Sequence, residues 1–256
     1  MRVLILGGTT EAMQLARLLA NKPGISALFS LAGRTSAPVT PPIPLRTGGF
    51  GGAGGLAAFL RDGDFTALVD ATHPFAAAIS HNAALACDRL GLPRCILTRA
   101  PWQSGLGDRW TEVDDLPGAA RMVGPTPRRV FLTTGRLGIE AFASTPHFYL
   151  LRSIDPPEKT PPFSHKSLLA RPPFTVEGEV ALMLAEQIAV VVTKNSGAEA
   201  TAAKLAAARN LGLEVVMVRR PAVPAGVRFG GAGEVMEWLA RAGRSAVHAT
   251  PPDRGV

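Results

Sequence analysis

Gly7-Gly8-Thr9-Thr10 follows the apolar run Val3–Leu6 and precedes Glu11 and a helical pattern of Ala12, Leu15, Ala16, Leu18 and Leu19. Glycine lets the backbone turn tightly and leaves room for a ligand to approach it. Thr9 or Thr10 can cap the helix. The free N–H groups and positive dipole end of such a helix suit a phosphate. The turn departs from the full G-x-G-x-x-G pattern, and an ordinary strand-to-helix turn would look the same. A second stretch, Gly33-Arg34-Thr35-Ser36, closes the strand-like Ile25–Leu31. In dinucleotide folds a carboxylate here holds the ribose 2′-hydroxyl of NAD, whereas an arginine accommodates the 2′-phosphate of NADP. Arg34 offers a guanidinium able to grip phosphate at two points, and Thr35 and Ser36 offer hydroxyls. This favours NADP over a loop arginine that merely faces solvent.

Two further stretches carry polar groups at strand ends. Asp70-Ala71-Thr72-His73-Pro74-Phe75 follows Ala67–Val69 and opens a long helix reaching about Leu90, with Pro74 suited to its first turn. Thr72 can cap that helix or touch the nicotinamide side of a cofactor. Two roles are open to His73: orienting a ligand or donating a proton, and making only local bonds at a helix start. Asp70 reads as structural and Phe75 as core. In the second half, Lys194-Asn195-Ser196-Gly197 leaves a strand and enters a helix, with a cation, two hydrogen-bonding side chains and a glycine for close backbone approach. This is a candidate anion site. Thr133-Thr134-Gly135-Arg136 repeats the arrangement, and Arg152-Ser153 stands at another strand end. Together these turns would form a cationic rim for a substrate bearing several carboxylates.

The elements that must position these groups alternate along the chain. Strands are expected at Val3–Leu6, Ile25–Leu31, Leu45–Thr47, Ala67–Val69, Arg94–Thr98 and Asp108–Val113. Others are expected at Val130–Thr133, Phe148–Arg152, Ser167–Ala170, Ala189–Thr193 and Val215–Val218, the last obvious one. Helices are expected at Leu56–Arg61, Leu116–Val123, Glu177–Glu186, Ala198–Leu211 and Glu234–Ala242. Repeated strand–helix units in both halves imply parallel sheets. The expectation is an α/β protein of two Rossmann-like domains with a cleft between them, since strand C-terminal ends face the ligand in such folds. The proline-rich Gly124-Pro125-Thr126-Pro127 reads as the linker. It places an NADP-binding domain at 1–124, a substrate-binding domain at 128–243 and a loose tail at 244–256.

With 256 residues, 46% of them apolar, the chain can bury its own core. No run approaches the roughly 18 apolar residues of a membrane span. Four apolar residues before Gly7 are too few for the core of a secretion signal, so a cytoplasmic protein is expected. Cys87 and Cys95 form no C-x-x-C, and His81, His147, His165 and His248 lack ligand spacing, so no metal is expected. The net charge of +7 comes from 22 Arg and 5 Lys against 20 acidic residues. The arginines are scattered and aromatics are 6%, so no base-stacking platform is visible. An anionic small molecule ranks above nucleic acid. Ser153 stands four residues after Tyr149, so a Tyr-x-x-x-Lys reductase site is absent. Neither G-x-S-x-G nor G-x-x-x-x-G-K-[ST] occurs.

The stretches Leu6–Ala12, Ala32-Gly33-Arg34, Asp70–Ala76 and Val192–Gly197, with Thr133–Arg136 and Arg152, resemble the precorrin-6A reductase family of corrin ring biosynthesis. The resemblance runs from the first strand to Arg220-Pro221. It implies hydride transfer from NADPH to one double bond of precorrin-6A, giving precorrin-6B. On this resemblance Gly7, Gly8, Thr9, Thr10, Arg34, Thr35 and Ser36 would hold the cofactor, with Thr72 and His73 near the nicotinamide. Thr134, Arg136, Arg152, Lys194, Asn195, Ser196 and Gly197 would meet the polycarboxylate tetrapyrrole. Lys194, His73 or water would supply the proton, and neighbouring corrin-pathway enzymes would be partners. The competing readings are a non-catalytic NADP-binding sensor and a tetrapyrrole methyltransferase. The methyltransferase cofactor carries no phosphate and would leave Arg34 idle.

Overall fold

The structure, a computed structural model, describes residues 1–33 and 39–247, the last four of these by backbone alone. In chain order it contains β1 (Arg2–Leu6), α1 (Thr10–Leu19), β2 (Ser26–Leu31), β3 (Leu45–Thr47), α2 (Gly52–Asp62), β4 (Ala67–Asp70), α3 (Ala77–Leu90) and β5 (Arg94–Leu97). There follow β6 (Arg109–Val113), α4 (Leu116–Val123), β7 (Arg129–Leu132), β8 (Phe148–Ser153), β9 (His165–Leu169), α5 (Val176–Ala185), β10 (Val190–Lys194), α6 (Ala203–Asn210) and β11 (Glu214–Val218). The chain closes with β12 (Val227–Phe229) and α7 (Ala232–Val247).

Two compact units result. One comprises Met1–Ala100 together with the chain from Ala222 on; the other is Pro101–Pro221. This corrects the expected boundary near residue 124. Gly124–Pro127 is a turn within the second unit, because β6 before it pairs in parallel with β11 from Arg109↔Glu214 to Val113↔Val218. Composition marked a linker where the fold needed only a corner.

The first sheet runs β3-β2-β1-β4-β5-β12 and the second β9-β8-β7-β10-β11-β6, with every pairing parallel. Both are the doubly wound order, five strands of which each unit builds in succession. The sixth strand arrives from outside that succession. β12 reaches the first unit after the chain has traversed the second, and β6 enters the second unit ahead of its own first strand. β12 was missed in the sequence, since Val-Arg-Phe after a proline- and glycine-rich segment is too short to show a period.

The central strand β1 explains why its run is apolar without alternation. Val3 and Ile5 pack on one face with Leu15, Leu19, Val235 and Leu239, while Leu4 and Leu6 pack on the other with Leu56, Leu60 and Leu68. Each fully buried aliphatic side chain contributes about 1.5–3 kcal/mol, so burial on both faces makes β1 the organising strand. In the second unit Phe131, Val191, Val215 and Met217 form the corresponding core with Leu205, Ala208 and Met183.

Two local expectations change. The helix expected from His73 begins at Ala77, since the His73 carbonyl accepts the Ala76 N–H and the His73 ring accepts the Phe75 N–H. Residues 73–76 are thus a separate turn, and Pro74 is not in the helix. The alanine-rich Ala198–Leu211 divides into a short 3-10 turn at Glu199–Thr201 and then α6.

Candidate functional site

In a doubly wound sheet, ligands bind where the chain first departs to one side and later returns to the other. In the first unit that place lies between β1 and β4, paired from Val3↔Ala67 to Leu6↔Asp70. It brings together the Gly7–Thr10 turn and the Asp70–Phe75 turn, two stretches 60 residues apart in the chain. Thr9 joins them. Its hydroxyl donates to the Ala71 carbonyl at 2.9 Å and accepts the Ala12 N–H at 3.1 Å, so it caps α1 and ties that helix to the end of β4.

The two glycines do different work. Gly8 has φ +127° and nothing within 4 Å of where a Cβ would stand, which is the open backbone a ligand needs. A Cβ on Gly7 would run into the Phe29 ring, so Gly7 is small because the core of β2 presses on it. Thr10 is the exposed first residue of α1. The first N–H groups of a helix have no partner within it. With Gly8 open and Thr9 spent on Ala12, this end of α1 fits a nucleotide diphosphate. Glu11, in the same first turn, is matched by Arg99 at 2.6 Å, both side chains largely buried. That pair removes a negative charge that would otherwise oppose a phosphate, and nothing in the local sequence announced it.

On the other flank, Arg34, Thr35 and Ser36 lie outside the described residues. Arg46, in the middle of β3, was not singled out in the sequence. Its guanidinium donates to Ser30 Oγ and to the carbonyls of Gly48 and Gly49, with Phe50 and Phe59 against its face. It shapes the glycine-dense turn rather than awaiting a ligand.

Across β4, Asp70 is 2% exposed and accepts both the Thr72 N–H (3.2 Å) and the Thr72 hydroxyl (2.7 Å). Thr72 therefore does not cap α3, whose N-cap is Ala76. His73 uses Nδ1 to accept the Phe75 N–H, which leaves the ring proton on Nε2 while that bond holds.

The second unit repeats the arrangement between β7 and β10, paired from Val190↔Val130 to Val192↔Leu132. Here the Thr133–Arg136 and Lys194–Gly197 turns stand side by side. Lys194 Nζ donates to the Thr134 carbonyl at 3.0 Å, and burial lowers its pKa. The buried Thr134 hydroxyl has no hydrogen-bond partner among the described residues. Arg136 meets Glu158 at 3.5 Å, and that carboxylate is 78% exposed. A pair this exposed is worth about 0–1 kcal/mol, so a ligand carboxylate can replace it. Gly135 and Gly197 have φ of +78° and +68°, the region glycine tolerates best.

Two expected substrate contacts are turned to other work. Arg152 is 6% exposed and forks onto Glu179 at 2.5 and 3.1 Å, between the rings of Phe131 and Phe174. The carboxylate it meets is the protein's own, which corrects its expected place on the ligand rim. Asn195 is buried and clamps the Trp102 backbone, accepting its N–H at 2.7 Å and donating to its carbonyl at 2.9 Å. Ser196 Oγ accepts the Ala198 N–H at 3.3 Å. Arg220, missed in the sequence, donates to the carbonyls of Asn195 and Ser196. The turn after β10 is thus held from both sides, leaving Lys194 and Gly197 at its mouth.

A family model described as Precorrin-6x reductase CbiJ/CobK matches residues 2–240. The Precorrin-6A reductase of Rhodobacter capsulatus is 48% identical over 257 residues, covering 100% of this chain and 99% of that protein. The Cobalt-precorrin-6A reductase of Priestia megaterium is 31% identical over 199 residues, covering 73% and 78%. A solved structure described as CobK precorrin-6A reductase superposes with a TM-score of 0.89 at 48% identity, covering 100% of this chain and 99% of that one. The same glycine turn, Asp-Ala-Thr-His-Pro-Phe turn and Lys-Asn-Ser-Gly turn that meet at the two sheet centres carried the resemblance, and the chain belongs to the Precorrin-6x reductase CbiJ/CobK family.

Proposed function

We propose that this chain reduces precorrin-6A to precorrin-6B with NADPH. The observation that carries the reading is the pairing of motif turns at the centre of each sheet: glycine and hydroxyls between β1 and β4, cations between β7 and β10. When bound, NADPH supplies the hydride, and the protein supplies binding and orientation. Gly8, Thr9 and Thr10 at the start of α1 would hold the diphosphate, with Arg34, Thr35 and Ser36 taking the 2′-phosphate. Thr72 and His73 would sit by the nicotinamide. Arg136, Lys194, Ser196, Gly197 and the Thr134 hydroxyl would meet the acidic side chains of the macrocycle. Lys194, whose half-buried ammonium gives up its proton more readily than an exposed lysine, is the candidate donor of the proton that completes the reduction. Its match to a relative named for the cobalt-free substrate, at 48% identity, exceeds the 31% match to the cobalt-named one, which favours the metal-free ring. Among the described residues no helix is long and apolar enough to cross a membrane. The reading places the enzyme in the cytoplasm, beside the enzymes that make and consume its substrate.

The test mixes the purified protein with NADPH and precorrin-6A, following NADPH absorbance and the mass of the macrocycle. Loss of NADPH with a gain of two hydrogens on the ring supports the reading. NADPH oxidation without a changed macrocycle overturns it. Arg34→Ala should weaken NADPH at least tenfold while leaving NADH nearly unchanged, and equal loss for both would remove Arg34 from the phosphate site.

A further inference from the structure

Thr72 has a single hydroxyl proton and two lone pairs. That proton goes to Asp70 Oδ1, 2.7 Å away, and the same oxygen takes the Thr72 N–H at 3.2 Å. While both Thr72 groups donate to it, Oδ1 has no proton to return, so the direction of the hydroxyl bond is set. Ser80 Oγ, 3.5 Å from the Thr72 hydroxyl, is then left the donor role in that contact. One lone pair of Thr72 remains for an outside partner, and an outside partner must be a donor.

The surroundings reinforce that sign. Asp70 is 2% exposed at the end of β4, and its other oxygen, Oδ2, has no hydrogen-bond partner among the described residues. An oxygen-rich group behind Thr72 favours an incoming N–H and repels an incoming carbonyl or carboxylate. The turn also has a fixed place. Asp70 is in register with Leu6, and Thr9 bonds to Ala71, so the turn carrying Thr72 and the turn carrying the open Gly8 leave neighbouring strand ends.

We propose that Asp70 is a positioning residue that makes Thr72 a hydrogen-bond acceptor, and that Thr72 selects a ligand carrying an amide N–H at this point. Resting on the NADPH reading above, this assigns the contact to the carboxamide NH2 of the nicotinamide and makes the site selective for that group over a ketone of the same shape.

The probe is the acetylpyridine analogue of NADPH, in which a methyl group replaces the carboxamide NH2. Dissociation constants for NADPH and the analogue are measured by nucleotide fluorescence on the whole protein without tetrapyrrole. The wild type should bind NADPH about tenfold more tightly than the analogue, the worth of one hydrogen bond. Thr72→Val keeps the shape and should bring the ratio close to one. Asp70→Ala releases the Thr72 proton and should do the same. Asp70→Asn, whose carbonyl oxygen can still accept from Thr72, should restore most of the ratio. If removing the Asp70 side chain impairs folding, Thr72→Val decides alone. An unchanged ratio in Thr72→Val overturns the assignment while leaving NADPH binding intact. A wild type that binds neither nucleotide overturns the cofactor reading and this one with it.

Discussion

The two sheets share a strand order and differ in what stands inside them. In the first unit the buried polar side chains among the described residues are Ser30, Asp70 and Ser80. In the second they include Arg152, Glu179, Lys204, Asn195, Ser196, Thr134 and His147. The first unit orders its ligand-facing turns with backbone geometry: Gly8 in a region suited to glycine, and a threonine cap on α1. The second orders its turns with side chains that reach across the fold, Asn195 to Trp102 and Arg220 to the Asn195 and Ser196 carbonyls. A diphosphate can be held by N–H groups at a helix end, which cost little to present. Several separate carboxylates need cations at set spacings, and long cationic side chains must be anchored to keep those spacings. On the proposed reading, one topology would serve two ligand chemistries by changing what sits behind the same pair of turns.

The sharpest way to break the contrast is Arg152→Ala. It leaves the Glu179 carboxylate buried without its partner and should cost about 3–5 kcal/mol, read from urea unfolding. Replacing both residues with apolar ones of similar size should recover most of that loss. If Arg152→Ala instead keeps full stability and loses affinity for the tetrapyrrole, Arg152 returns to the ligand rim.

Lys204 sharpens the contrast through pH. The residue is 3% exposed, and its ammonium donates to the Thr201 carbonyl and lies 4.8 Å from the centre of the Trp102 ring. Burial lowers its pKa to about 7, with Arg152 adding to the shift and Glu179 opposing it. The unfolded chain keeps this proton up to the ordinary lysine value of 10.5. Between about 7 and 10.5 the unfolded state binds more protons, so stability rises with pH across that window. Below about 7 both states hold the proton and the contribution is flat at its least favourable. Lys204→Met should flatten the rise and stabilise the protein most at and below neutral pH, by on the order of 1–3 kcal/mol. Unfolding midpoints of the two proteins from pH 6 to 10 check this, and parallel curves would refute it.

In the first unit the matching experiment is Gly7→Ala. The added methyl meets the Phe29 ring and should cost about 1–3 kcal/mol of stability. Gly8→Ala finds open space for its methyl but strains the backbone at φ +127°, so it should cost about 1–3 kcal/mol of stability as well as weaken NADPH. The smallest effect is Thr9→Ala, where loss of the cap on α1 should cost about 1 kcal/mol. A larger loss there would show that the bond from Thr9 to Ala71 holds the β4 turn as well.

The strands and helices with long apolar patterns were legible: β1, α1, β4, α4, β7, β10 and β11 stand within a residue or so of where hydrophobic runs placed them. So were the stretches that meet at the two sheet centres, because glycines, hydroxyls and cations at strand ends have a local signature. Arg152 was misread because a basic residue at a strand end looks the same whether it faces solvent or Glu179, 27 residues away. Arg99 and Arg220 went unnoticed because their partners are remote in sequence, and Lys204 because its burial against Trp102 is set by a residue about a hundred positions away.

The amino-acid sequence alone determined the alternation of strand and helix, the parallel sheets and which polar groups stand at each turn. These follow from side-chain pattern within a window of a few residues. Only the tertiary structure decided that β6 and β12 complete sheets apart from the rest of their neighbours in the chain, and which cations are spent inside the protein. Pairing of strand edges and burial of charge depend on what lies opposite in space, and that is set by the whole chain at once.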